Sequence, residues 1–140
     1  MPDPFVLRAT LADMRDAMAR IREVLPTDLA AFQRDRTTRE IVVLNLFVAL
    51  QHLLTVANHW LADSGRKVPA AYRDALLALG DHGVLAPELA ERLAKASGLR
   101  NLIAHRYGVI DWERIYSIAS KDLDDIESFC AAIERAAFPS

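Results

Sequence analysis

One segment, from about residue 38 to residue 63, constrains the fold of this 140-residue chain more than any other. On a helical wheel of about 100° per residue, its apolar side chains cover roughly half of the circumference. They are Val42, Val43, Leu46, Phe47, Ala49, Leu50, Leu53, Leu54, Val56, Ala57, Trp60 and Leu61. One neighbouring helix cannot cover so wide a surface. The segment is therefore predicted to be the central helix of a bundle, capped by Thr37, Thr38 or Glu40, with room for a contact to a second subunit.

Four other segments repeat apolar residues every three or four positions, which is the spacing of helices. The first helix is predicted to end at Pro26, and residues 28–35 to form a connector of one helical turn. A short third helix precedes a fourth that begins near Pro87, and Asp111 caps a fifth. The predicted fold is all-α, an antiparallel up-and-down bundle of about five helices that forms a single domain over residues 1–140.

Charge and cysteine content exclude several kinds of function. The net charge is −2, so the chain has no global basic field, and any chemistry on nucleic acids must come from a local cluster or from charge pooled in an oligomer. The single cysteine, Cys130, excludes an intrachain disulfide framework and a zinc site of several cysteines. Its apolar neighbours predict a small buried side chain rather than a nucleophile.

The sequence is predicted to be that of a soluble cytoplasmic protein without a membrane partner. Its first residues, MPDPFVL, include no positively charged start before a long apolar run, so they do not form a secretory signal. The apolar run of residues 41–50 is interrupted by Asn45 and is too short to span a membrane.

A row of polar residues on the central helix raises the possibility of a metal site. Asn45, His52 and His59 are seven positions apart, so they lie on one side of the helix. Neighbours in that row are about 10.5 Å apart along the axis, too far to share one ion. The row is predicted to pack by hydrogen bonds or to line a cleft, and neither a metal nor another cofactor is predicted.

The stretch GLRNLIAHRYG, residues 98–108, combines several reactive side chains near the predicted end of the fourth helix, which Gly108 should stop. On the wheel, Arg100, Asn101 and His105 share one arc. The opposite arc carries Leu99, Leu102 and Ile103.

These residue types suit phosphate chemistry. A guanidinium is a permanently charged donor that matches phosphate oxygens, and an imidazole takes and returns a proton near neutral pH. Arg100 and His105, with Asn101 to position either, could promote attack of an RNA 2′-hydroxyl on the adjacent phosphate without a metal ion. The spacing alone favours a polar helix end, where an arginine and a histidine meet the helix dipole favourably.

The sequence LRNLIAHRYG resembles the signature of HEPN-superfamily ribonucleases: an arginine, a polar residue, three further positions and a histidine. The tyrosine two residues after the histidine resembles the HepT-like toxin branch of that superfamily. The flanking sequence AYRDALLALGDHGVLAPELAERLAKASGLRNLIAHRYGVIDWERIYSI is similar to that branch as well. With the long apolar helix before it and the acidic last helix after it, the resemblance extends over nearly the whole chain.

The resemblance implies that Arg100 and His105 are the catalytic pair and that Asn101 fills the polar position of the motif. It implies a homodimer in which two motif helices face each other across a cleft and form one RNA-cleaving site, with no role for DNA. It also implies a partner, an MntA-like nucleotidyltransferase antitoxin that transfers AMP to Tyr107. A phosphate group added beside Arg100 would neutralise the site and block the entry of RNA.

The predicted function is therefore that of a metal-independent endoribonuclease toxin. Two alternatives stay open: a non-catalytic nucleotide-binding or adaptor partner of a nucleotidyltransferase, and a purely structural oligomerising bundle. Tyr107 is also open to a plain packing role, with its hydroxyl in solvent. The other tyrosines and the two tryptophans are predicted to lie in the core or an interface rather than to stack on bases, and they are Trp60, Tyr72, Trp112 and Tyr116.

Overall fold

The computed structural model describes residues 3–105 and 109–139, and within these ranges the backbone forms seven helices and no strand. They are α1 (Pro4–Val24), α2 (Leu29–Arg34), α3 (Arg36–Asp63), α4 (Tyr72–Asp81), α5 (Pro87–His105), α6 (Trp112–Lys121) and α7 (Leu123–Ala137). The all-α prediction is confirmed. The bundle has two more helices than the five predicted. One forms in the segment predicted as a connector, and the other results from a break in the predicted fifth helix.

The first additional helix is α2, which occupies most of the predicted connector at residues 28–35. The carboxylate of Asp28 caps its first turn. Asp35 ends α2 and also begins α3, because its side chain accepts a hydrogen bond from the Thr38 N–H at 3.2 Å. The central helix therefore begins at Arg36, and its cap is Asp35 rather than the two threonines or the glutamate predicted to cap it.

The second additional helix results from a break in the predicted fifth helix at Asp122. The N–H of Asp122 donates to the Ile118 carbonyl at 2.9 Å and closes α6, and α7 begins at the next residue. Aspartate is a poor residue for a helix interior, because its short side chain competes for backbone hydrogen bonds. The predicted cap of this region, Asp111, accepts from the Arg114 N–H at 3.1 Å, as expected.

The core is built around α3, as its wide apolar surface predicted. This helix packs against all six other helices in the part of the chain that the structure describes. Its buried side chains are Val42, Leu46, Ala49, Leu50, Leu53, Leu54, Val56, Ala57 and Leu61. By length and composition, α3 is also the one helix in the described ranges apolar enough to cross a membrane. The apolar run was predicted to be too short to span a membrane because only residues 41–50 were counted, whereas the apolar pattern continues to Leu61. The core helix of a soluble protein meets the same criteria of length and composition.

Cys130 lies in the same core, with no exposed surface. Burial raises the pKa of its thiol to about 12, because the apolar surroundings disfavour the thiolate. The prediction of a buried structural cysteine is confirmed.

Candidate active site

The motif lies in the last two turns of α5, and the division of this helix into two faces determines where its polar side chains point. Leu99 and Ile103 are buried against the core. Asn101 is exposed and Arg100 is half-buried on the outer face. For these four residues the structure has the two faces that the helical wheel predicted.

Arg100 is held in a defined position by two hydrogen bonds. Its Nε donates to Oε1 of Gln51 on α3 at 2.7 Å. Its Nη1 donates to Oδ1 of Asn101, the next residue, at 3.0 Å. The guanidinium is thus tied both to the central helix and to its neighbour in the motif, and this fixes its plane.

Two aromatic rings further restrict the guanidinium. Its central carbon is 5.7 Å from the ring centroid of Phe47 on α3 and 5.6 Å from that of Tyr72 at the start of α4. Both distances are within the range of cation–π attraction. Three helices therefore contribute to the placement of Arg100.

The described hydrogen-bond partners of Arg100 are uncharged, as are those of Arg39 and Arg66. Both described acceptors are amide oxygens, of Gln51 and Asn101. Several arginines pair with carboxylates instead: Arg15 contacts two glutamates, and Arg92 contacts Asp125 at 3.0 Å. An amide orients a guanidinium without cancelling its charge, so the positive charge of Arg100 remains available to an anion.

For the second half of the motif, the structure describes the backbone as far as His105. His105 is the last residue of α5, and five residues of helical rise place its Cα about 7.5 Å along the axis from that of Arg100. The side chain of His105 lies outside the described part of the structure. Tyr107 and the predicted helix stop, Gly108, lie outside it as well.

Three of the residues around Arg100 were not predicted to belong to the site. No role was predicted for Gln51, whereas Phe47 was predicted only as an apolar residue of the central helix and Tyr72 only as a core or interface aromatic. Each is far from Arg100 in sequence, 49 positions in the case of Gln51. No spacing rule within one helix relates such positions, so only the packing of α3, α4 and α5 reveals them.

The polar row on α3 does not form a cluster of ligands. Nδ2 of Asn45 donates to the Ile41 carbonyl one turn earlier at 2.8 Å, which is the hydrogen-bonded packing predicted for it. His52 is half-buried and His59 is exposed. Among the side chains that the structure describes, no group of three or more histidine, cysteine or acidic residues is arranged to hold a metal ion.

The sequence is similar to a known protein family and to individual members of it. The sequence model of the family described as Ribonuclease HepT-like matches residues 14–133. The mRNA nuclease HepT of Shewanella oneidensis is 27% identical over 124 residues, which cover 89% of this chain and 92% of that protein. The tRNA nuclease HepT of Aphanizomenon flos-aquae is 40% identical over 47 residues, 34% of this chain and 32% of its own length.

Solved structures have the same fold. The tri-AMPylated HEPN toxin of Shewanella oneidensis, in complex with an MNT antitoxin, superposes with a TM-score of 0.83 at 26% identity, covering 96% of this chain and 98% of that one. The cytosolic protein of unknown function YutE from Bacillus subtilis superposes with a TM-score of 0.84 at 16% identity, covering 99% and 94%. At that identity, the second similarity concerns the fold alone.

Proposed function

The chain belongs to the HepT-like ribonuclease family, and from this premise we propose that it is the toxin of a toxin–antitoxin pair, an endoribonuclease that cleaves RNA without a metal ion. Arg100 and His105 are the proposed catalytic pair, and Asn101 is the polar residue of the motif beside them. The proposed place of action is the cytoplasm, where cellular RNA is accessible.

The observation that carries this proposal is the environment of Arg100. A half-buried guanidinium, oriented by the amides of Gln51 and Asn101 and by two aromatic rings, is ready to bind an anion. An arginine kept for stability alone gains more from a carboxylate partner, as Arg15 does with Glu127 and Glu134.

The proposed reaction uses the RNA as its own nucleophile. A histidine of the site, His105, accepts the proton of the ribose 2′-hydroxyl, whose oxygen forms a bond to the adjacent phosphorus. The bond from phosphorus to the 5′-oxygen breaks, and that oxygen takes up a proton. The products are a 2′,3′-cyclic phosphate and a 5′-hydroxyl. Arg100 binds the phosphate and stabilises the charge that develops on its oxygens.

The proposed active form is a homodimer whose two α5 helices line one cleft. Two copies of Arg100 would pool positive charge locally, which the net charge of −2 does not provide for the chain as a whole. The outer face of α3 supports such an interface, because Leu44 is 61% exposed beside half-buried apolar residues of the same helix.

The proposed partner is an MntA-like nucleotidyltransferase antitoxin. The support is the solved HEPN toxin of Shewanella oneidensis, which is tri-AMPylated and in complex with an MNT antitoxin. For this chain we propose Tyr107 as the acceptor. Its phenolic oxygen would bond to the α-phosphorus of ATP, pyrophosphate would leave, and the added phosphate would repel RNA from Arg100.

The proposal is tested by incubating the purified chain with single-stranded RNA in excess EDTA. We expect cleavage by the wild type and its loss in both Arg100→Ala and His105→Ala. Matched controls are Arg135→Ala, near the end of α7, and His82→Ala, at the end of α4, which change the same residue types at exposed positions. RNA with 2′-deoxyribose at every position should stay intact, because it lacks the nucleophile.

Each contrary result has a defined meaning. Cleavage that survives both motif changes would refute the assignment of the catalytic pair. Intact RNA together with tight binding of a nucleotide would favour the non-catalytic alternative. Cleavage that occurs only with added divalent metal would refute metal independence.

A further inference from the structure

A groove next to the motif has no role in the function proposed above. It has a volume of about 580 Å³ and lies between the start of α4 and the middle of α5. Asn101 of the motif lines one end, so the groove is continuous with the proposed catalytic site. Its size is that of sites that bind small organic molecules.

The groove is open because small residues line α5 along it. Ala94, Gly98 and Asn101 are spaced by four and three positions and form one stripe of the helix. A Cβ atom added at Gly98 would meet nothing within 4 Å. The hydroxyl of Ser97 donates to the Ala94 carbonyl at 2.7 Å and so turns back to its own helix. From Ala94 to Asn101, the stripe extends about 10.5 Å.

Two cationic side chains border the groove. Arg73 comes from α4 and Lys95 from α5, and both are exposed. Within the described part of the chain, neither has a carboxylate within ion-pair distance, whereas Arg92, less than one turn before Lys95, pairs with Asp125. The open groove thus brings two unpaired cations close to a guanidinium with neutral partners, which concentrates positive charge in one part of a chain that is negative overall.

We propose that this groove binds the RNA strand that flanks the scissile phosphate, with Arg73 and Lys95 contacting its backbone phosphates. The inference rests on the proposed function for the identity of the ligand. In this arrangement a flanking nucleotide lies along the groove, and the wall of small residues leaves room for its sugar. Because the contacts are to the backbone, they raise affinity without selecting a base sequence.

The test measures binding by fluorescence anisotropy with a single-stranded RNA that is 2′-O-methylated throughout and so cannot be cleaved. We expect the pair Arg73→Gln and Lys95→Gln to weaken binding at least tenfold, and to reduce the salt slope of binding by about 0.7 per lost phosphate contact. The matched control is Lys121→Gln with Arg135→Gln, which removes the same charge from α6 and α7, outside the groove.

The outcomes separate the two proposals. Equal losses in the groove pair and the control pair, or an unchanged salt slope in the groove pair, would overturn the groove assignment. If the groove pair weakens binding of the methylated RNA as expected but the wild type leaves unmodified RNA intact in EDTA, the proposed metal-independent ribonuclease function fails and the groove assignment stands.

Discussion

At the scale of single residues, the environment of Arg100 explains why an arginine rather than a lysine stands in the motif. Its Nε donates to Gln51 and its Nη1 to Asn101, and Nη2, in the same rigid plane, is available to bind a phosphate. A lysine has a single nitrogen, so the same atom would have to bond to the orienting residues and to the phosphate. Under the proposed function, Gln51 is therefore a positioning residue, which would act on RNA through Arg100.

Replacement of Gln51 tests this role. We expect Gln51→Glu to lower kcat/KM for RNA by on the order of tenfold, because a carboxylate would pair with Arg100 and compete with the phosphate. Gln51→Ala should have a smaller effect, since it loosens the guanidinium but leaves its charge free. A glutamate variant as active as the alanine variant would contradict the role assigned to the neutral partner.

Cys130 gives a prediction about pH. Its pKa is raised from 9.0 to about 12 in the folded chain, so unfolding releases a proton from this thiol at alkaline pH. Its contribution to the free energy of unfolding is complete below pH 9 and is lost between pH 9 and about 12. We expect urea unfolding of the wild type to lose stability over that range faster than Cys130→Ala does. Parallel pH profiles for the two proteins would show that burial does not shift this thiol.

The sequence predicted the motif residues of the site but not the residues that surround Arg100. The motif residues follow one another on one helix, so their shared arc and the resemblance to the HEPN signature both identify them. Phe47, Gln51 and Tyr72 join them only through the packing of three helices. The pairing of Arg15 with Glu127 and Glu134, more than 100 positions away, could not be predicted either, because it also depends on helix packing.

At the scale of elements, apolar periodicity identified the helices better than their boundaries. Leu11 and Met14 of α1 and Leu99 and Ile103 of α5 are buried as predicted, because they lie on the apolar faces of these helices. The boundaries at Asp28, Asp35 and Asp122 were missed or misplaced. An aspartate is compatible with a cap, a turn or an exposed helical position, and the tertiary contacts of its neighbours decide which of these it adopts.

Two glycines on packed helices give opposite predictions. A Cβ at Gly80 of α4 would lie 2.8 Å from the Cβ of Ala90 on α5, so Gly80→Ala should lower the free energy of unfolding by about 1 to 3 kcal/mol through overpacking. Gly98→Ala should raise it by about 0.5 to 1 kcal/mol, because the space there is open and alanine favours the helix. Urea unfolding measures both. A stabilised Gly80→Ala variant would contradict the close contact of α4 with α5.

At the scale of the whole molecule, α3 organises both the core and the proposed dimer. Its inner side chains join the other six helices, which is why so broad an apolar surface is compatible with a folded chain. Its outer face keeps Leu44 exposed and also holds Gln51, the partner of Arg100. The wide apolar arc predicted a central helix. Which part of that apolar surface stays exposed depends on where the other helices pack, and the sequence does not determine this.

Leu44 tests the proposed interface. We expect Leu44→Glu to convert the dimer to a monomer and to reduce RNA cleavage, because a charge would be buried against a second copy. Val6→Glu on α1 is the matched control, since Val6 is 58% exposed and Leu44 61%. Light scattering gives the mass, and the same samples give the activity. A Leu44→Glu variant that stays dimeric would show that the interface lies elsewhere.

The chemistry of the RNA ends tests the central claim most directly, namely that Arg100 and His105 promote attack by the 2′-hydroxyl. Mass spectrometry of the fragments formed in EDTA should find 2′,3′-cyclic phosphates opposite 5′-hydroxyls, in amounts that vanish in Arg100→Ala and His105→Ala. Fragments with 3′-hydroxyl and 5′-phosphate ends, formed only when a divalent metal is present, would contradict the account.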